Sequence, residues 1–157
     1  TNLYQQAKAL GLSDRWPEVC KAYADANQLL GDIVKVTPTS KAVGDLALAM
    51  VANDLTADQI ATGSREISYP ASIIDLLSGM MGQPPGGFPN AVQAAILKDK
   101  PSMSGRPGAS LPAVNLTQVG DQLKEKFERD FSMQEIVSSV LYPKVFDEWI
   151  THQREYG

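Results

Sequence analysis

A chain of 157 residues with net charge −4, 20% charged and 43% hydrophobic side chains has the balance of an ordinary folded domain, long enough to bury roughly two thirds of its unfolded surface. The acidic balance excludes a general nucleic-acid binder, which needs clustered Lys and Arg for phosphate. No apolar run approaches the roughly 20 residues that cross a bilayer.

The periodicity is helical nearly throughout. "TNLYQQAKALG" opens the chain as a helix. Ser13 is placed to cap the next, on which Trp16, Val19, Cys20, Tyr23 and Leu30 make one apolar stripe, with Pro17 tolerated in the first turn. Gly31 ends it. A helix from Thr39 or Ser40 buries Val43, Leu46, Ala47, Met50 and Val51. Thr56 and Gln59 have the capping-box spacing and start a short helix. "REISYP" is the one extended-looking piece, and Pro70 heads a helix carrying Ile73, Ile74, Leu77 and Met81. "GQPPGGFPN" is a loop, after which Asn90 is placed to cap a short helix through Leu97. "KPSMSGRPGASLP" is too rich in Gly, Pro and Ser for regular structure.

Three helices follow. Leu116, Val119, Leu123 and Phe127 line the first. Ser132 with Glu135 boxes the second, and Pro143 opens the third, which is expected to bury Val145, Phe146, Trp149 and Ile150. The fold class is therefore mainly α: one domain, 1–157, an irregular assembly of short helices with long loops rather than a regular bundle. The opening at Thr1, directly in helix-like sequence, and the abrupt end read as a fragment of a longer protein.

Little of the usual catalytic apparatus is encoded. Cys20 is the only cysteine and His152 the only histidine, so an internal disulfide is impossible, a reducing compartment is the natural reading, and no metal-ligand cluster is spelled out. His152 lies in a charged C-terminal helix, where a solvated side chain is the default over a triad member.

The chemistry-bearing stretch is "GDIVKVTPTSK", residues 31–41. Pro38 disfavours helical geometry at Thr37, so that hydroxyl projects from a constrained backbone. Thr39 or Ser40 is placed to cap the next helix, whose positive end faces the same space, and Lys41 and Lys35 add charge. Two readings stand on this pattern. Hydroxyls before a helix are commonly caps and flanking lysines are commonly solvated; the same groups together favour a bound anion, enolate or polarised carbonyl oxygen.

"TNLYQQAKALGL", "ANQLLGDIVKVTPTSKAVGDLALAMV", "GQPPGGFP", "RPGASL" and "VLYPKVF" occur in that order. Through these blocks the whole chain resembles the C-terminal part of the carboxyltransferase domain of the pyruvate carboxylases. Oxaloacetate decarboxylase and transcarboxylase subunits share a looser version with the Thr-Pro step. The resemblance implies a helical funnel that follows a TIM barrel, the barrel itself lying outside this sequence. It implies that Thr37 is catalytic, shuttling a proton between pyruvate and biotin, and that Ser40 and Lys41 hydrogen-bond the biotin ureido oxygen. Thr39 stands where the family often has serine.

The resemblance further implies biotin tethered on another domain, zinc or manganese and ATP in parts of the enzyme not present here, and no metal ligand in this segment. The implied partners are the barrel, the biotin carrier domain and pyruvate, in a homotetramer that binds neither nucleic acid nor membrane. The implied compartment is the bacterial cytoplasm or the mitochondrial matrix. Alone, the segment is expected to be inactive. Two alternatives remain: a decarboxylase or transcarboxylase subunit, or a helical interaction module without chemistry.

Overall fold

The computed structural model describes residues 2–157, which fall into two compact units, 2–111 and 112–157. No strand occurs among the described residues. Where the sequence suggested one domain, two separate sets of buried side chains are present, one in each unit.

The first unit is built on α2 (Trp16–Leu29) and α3 (Thr39–Ala52), which pack along each other. Their buried positions are mostly small: Val19, Ala22 and Ala26 on α2, Ala42, Val43, Gly44 and Ala47 on α3, with the larger Leu30, Leu46 and Met50 also buried. Small side chains bring helix axes close and leave little room for repacking. Around this pair stand α1 (Asn2–Ala9), α4 (Ala57–Thr62), α5 (Ala71–Leu77) and α6 (Asn90–Leu97), with a single short turn of helix, α7 (Pro107–Ser110), beyond. The α5 residues Ile73, Leu76 and Leu77 are buried, and α5 packs on α3.

Several local signals resolve as the residue types dictate. The Thr56–Gln59 capping box is formed in both directions. Gly31, at φ +89°, lets α2 end in a Schellman motif: Asp32 N–H donates to Asn27 C=O (2.9 Å) and Gly31 N–H to Gln28 C=O (3.0 Å), a geometry that suits glycine. The "GQPPGGFPN" loop is irregular, anchored by buried Phe88.

Other expectations are corrected. Ser13 caps no helix; it begins a one-turn 3₁₀ segment, Ser13–Arg15, that runs into α2. Asn90 lies inside α6, and Pro89 holds the cap position. The Gly/Pro-rich stretch near 107 is not wholly irregular, since Pro107 sets φ for the four-residue α7. Cys20, expected on the apolar stripe of α2, is exposed.

The second unit holds α8 (Leu116–Phe127), α9 (Met133–Leu141) and α10 (Pro143–Tyr156). Leu123, Ile136, Phe146 and Ile150 are its buried centre, flanked by Leu116, Val119, Phe127 and Phe131. A Cβ at Gly120 would stand 3.0 Å from Ile136 Cδ1, so glycine admits that side chain against α8. On α10 the inward face is narrower than the sequence suggested. Phe146 and Ile150 point in, whereas Val145 and Trp149, one position earlier in the same i, i+4 spacing, are 64% and 42% exposed. With Tyr142 they line an apolar groove of about 340 Å³ beside α9.

The α9 box is formed as expected: Ser132 Oγ accepts from Glu135 N–H, and the Glu135 carboxylate accepts from Ser132 N–H (2.8 Å). Arg129 adds an ion pair at 2.6 Å. That guanidinium first, and then the Ser132 donors, hold the Glu135 carboxyl well below its ordinary 4.5, at about 2. A depressed folded-state value means the stabilisation is complete above pH 4.5 and disappears as pH falls towards 2. The protection factors of the α9 amides in the whole chain, corrected for the intrinsic pH dependence of exchange, should therefore fall over that interval, and Glu135→Gln should remove much of the acid-dependent change.

Candidate functional site

One cleft gathers the chemistry-bearing residues of the first unit. It has a volume of about 980 Å³ and draws its lining from α1, α2, the 37–38 turn and the start of α3. The α2 wall is Trp16, Cys20 and Tyr23, spaced i, i+4, i+7 along one helix face. Leu3 and Gln6 close it from α1, where Tyr4 and Trp16 meet edge to face at 5.0 Å. Opposite stand Thr37, Ser40, Lys41 and Gly44.

The 31–41 stretch explains how these groups come together. After the Schellman turn, Ile33 is buried and pins the segment, while Val34 and Val36 are 78% and 62% exposed. Thr37 and Pro38, joined by a cis peptide bond, turn the chain into α3. The hydroxyl that braces this turn belongs to Thr39. Its Oγ1 accepts from Val36 N–H (3.1 Å) and lies 2.7 Å from Val34 C=O and 2.6 Å from Val36 C=O, so its single proton is shared between two carbonyls.

The expectation that Thr39 or Ser40 caps α3 is corrected. Pro38 holds the cap position and no side-chain cap hydrogen bond is made. Ser40 N–H donates to Val36 C=O (3.1 Å), and Lys41 and Ala42 N–H donate to Pro38 C=O. The N–H groups of Ser40, Lys41 and Ala42 are therefore taken by backbone carbonyls and do not form an open anion cradle. This leaves Ser40 Oγ free of capping duty, on the cleft wall beside Thr37.

Lys41 is not an unopposed cation. Its Nζ pairs with Asp45 Oδ2 at 2.5 Å, one turn along α3. Asp45 is only 16% exposed, and Ser72 Oγ of α5 donates to the same oxygen. Lys35, the other cation of the stretch, is outside the cleft lining. Gly44 has a packing reason: a Cβ there would lie 3.0 Å from Leu3 Cδ1 and 3.9 Å from Tyr23 Cε2. Glycine thus leaves bare backbone between the α1 and α2 walls.

Sequence reasoning found Thr37, Ser40 and Lys41, and the structure brings all three to one cleft. It missed the opposite wall and the Asp45–Ser72 support. The Lys41–Asp45 spacing was visible as an i, i+4 pair; Ser72, 27 positions further along from Asp45, left no local signal. The cleft surface is mostly apolar, with hydroxyl, amide and ammonium groups among its lining. A pocket of this type suits a small molecule with an apolar body and a polar oxygen at one end. Among the described residues no three His, Cys, Asp or Glu side chains group to ligate a metal.

The comparisons give the family. The conserved carboxylase domain family matches residues 1–157, and the chain belongs to that family. It is 44% identical over its full length to pyruvate carboxylase 1 of Caenorhabditis elegans and 43% identical to pyruvate carboxylase of Bacillus subtilis, covering 13% and 14% of those proteins. The carboxyl transferase domain of Rhizobium etli pyruvate carboxylase, solved with pyruvate and biocytin, superposes with a TM-score of 0.91 at 46% identity; all of this chain and 26% of that one are covered. The same domain with oxamate and biotin also gives 0.91. The helical architecture is that of a segment of this domain, and the chain spans about an eighth of the length of the relatives it matches.

The bracing role of Thr39 is separable from any chemistry. Thr39→Ala should cost about 1–2 kcal/mol through the lost contacts to Val34 and Val36. It should lower the melting temperature and speed exchange of the Val36 amide, while Thr39→Ser should behave as the parent.

Proposed function

We propose that this chain forms the biotin-side part of a pyruvate carboxylase carboxyltransferase domain, where a carboxyl group passes to pyruvate to give oxaloacetate. The observation that carries the reading is the division of labour among the hydroxyls. Thr39 braces the turn, α3 takes no side-chain cap, and Thr37 and Ser40 stand on the cleft wall beside Lys41 without that structural duty.

The cleft fits biotin by its own chemistry. Leu3, Trp16 and Tyr23 offer apolar surface for a bicyclic body, and Ser40 Oγ and Lys41 Nζ offer donors for a urea-like oxygen. When bound, biotin supplies the carboxyl group that is transferred. Thr37 Oγ1 takes up the proton that the pyruvate methyl group must lose and gives its own hydroxyl proton to the biotin side, so no net charge builds on the threonine. Ser40 and Lys41 favour the polarised form of the ureido oxygen, because both donors are in place before charge develops there. The Lys41–Asp45 pair offsets the local charge, which matches a neutral, polarisable ligand better than a free anion.

In this reading the remaining parts of the enzyme supply what this chain does not. A barrel holds zinc or manganese and pyruvate, a separate site uses ATP, a carrier domain tethers biotin, and the assembly is a homotetramer of the cytoplasm or mitochondrial matrix. This chain by itself carries out no turnover. The exposed Tyr142, Val145 and Trp149 belong to the apolar surface that such a segment turns toward the rest of its enzyme.

In the full-length carboxylase, Thr37→Ala should lower pyruvate carboxylation about 10²–10⁴-fold, the usual worth of a positioned acid–base group. Bicarbonate-dependent ATP cleavage and the melting temperature should stay near parental values, and Thr37→Ser should keep partial activity. If carboxylation and ATP cleavage fall together with the melting temperature, Thr37 is structural and the reading fails.

A further inference from the structure

The Lys41–Asp45 contact is more than a solvated helix pair. Ordinary i, i+4 ion pairs are exposed at both ends and hold neither partner in one place. Here the acid is largely buried, at 16% exposure, while Lys41 is 62% exposed and reaches the cleft. The carboxylate is also tied from a second helix. Ser72, in the first turn of α5, donates to the same Oδ2 at 2.5 Å, and α5 packs on α3 through the buried Ile73, Leu76 and Leu77. One oxygen thus fastens a long, flexible ammonium side chain to the packed helices behind the cleft.

We propose that Asp45, held by Ser72, is a positioning residue that sets where the Lys41 ammonium stands for the ligand of this cleft. The inference rests on the biotin reading above and extends it to two residues that do not line the cleft. A lysine has four rotatable stem bonds and three donors. Asp45 occupies one of those donors and restricts the stem, and the other two remain for a ligand oxygen. Without the carboxylate, the ammonium samples solvent-facing rotamers, and the donor is no longer pre-placed. Ser72 matters because it orients the carboxylate from a different element; the Asp45 rotamer then does not depend on Lys41 itself.

The test uses the full-length carboxylase with free biotin as the probe, measuring biotin-dependent oxaloacetate decarboxylation over a range of biotin concentrations. Asp45→Asn keeps the shape and the acceptor for Ser72 and removes the charge. It should raise the KM for biotin about 10- to 100-fold, the scale of a donor misplaced by about 1 Å, with ATP cleavage and melting temperature unmoved. Asp45→Glu should recover part of the loss. Combining Asp45→Asn with Lys41→Ala should give an enzyme no worse than Lys41→Ala alone, because the acid acts only through the lysine.

Ser72→Ala should produce a smaller shift in the same direction, and it carries the test if Asp45→Asn lowers the melting temperature. An unchanged KM in the Asp45→Asn or Ser72→Ala enzyme, or effects of Asp45→Asn and Lys41→Ala that simply add, would overturn the inference while leaving the biotin reading intact. An unimpaired Lys41→Ala enzyme would overturn both.

Discussion

Close packing of α2 on α3 decides where every candidate functional group stands. The buried positions of the two helices are dominated by Ala, Val and Gly, so the backbones approach and few alternative packings exist. Trp16, Cys20 and Tyr23 emerge from one helix and Ser40, Lys41 and Gly44 from the other, and their separation is set by side chains that never touch a ligand. A site on two mutually packed helices holds its geometry better than one on free loops. The one loop contribution, Thr37, is braced on both sides, by buried Ile33 before it and by the Thr39 hydroxyl after it.

The electrostatics of the site follow from the same arrangement. A helix start with free N–H groups and a lone lysine would make an anion site. At α3 neither condition holds: the N–H groups of Ser40, Lys41 and Ala42 meet the carbonyls of Val36 and Pro38, and Lys41 meets Asp45. What remains is a set of oriented dipoles and a partly balanced cation beside aromatic surface. Such a site polarises a neutral group strongly and holds a fully charged one less well than an open helix end would. The hydroxyl of Thr37 belongs to the same logic, since it can both take and give a proton without changing charge.

Much of this was legible in the sequence. The helices, both capping boxes, the proline-led start of α10 and the buried stripe of α3 follow from periodicity and local hydrogen-bonding chemistry, and these determine structure within a few residues of themselves. Misplaced features depended on something beyond that range. Ser13 and Asn90 have the right side chains for caps, yet the helices start at Trp16 and Asn90, because the preceding turn and Pro89 set the entry geometry. Cys20, Val145 and Trp149 are apolar at helical spacing, and their exposure depends on which face the neighbouring helices cover. Periodicity gives the width of an apolar stripe but not which edge of it is packed.

The candidate site divides the same way. Thr37, Ser40 and Lys41 lie within five positions and were visible as one pattern. The α1 and α2 walls, and the Ser72 hydrogen bond to Asp45, join residues tens of positions apart and exist only once the helices have packed. Thr39 is the instructive case. From sequence it was interchangeable with Ser40 as a cap; in the fold it closes the 34–36 segment instead. With Pro38 in the cap position, Thr39 is the first residue inside α3, and its hydroxyl turns back to the Val34–Val36 segment before the turn. Bracing therefore falls to Thr39, just inside α3, and Thr37, on the other side of Pro38, keeps a hydroxyl that the fold itself does not require for capping.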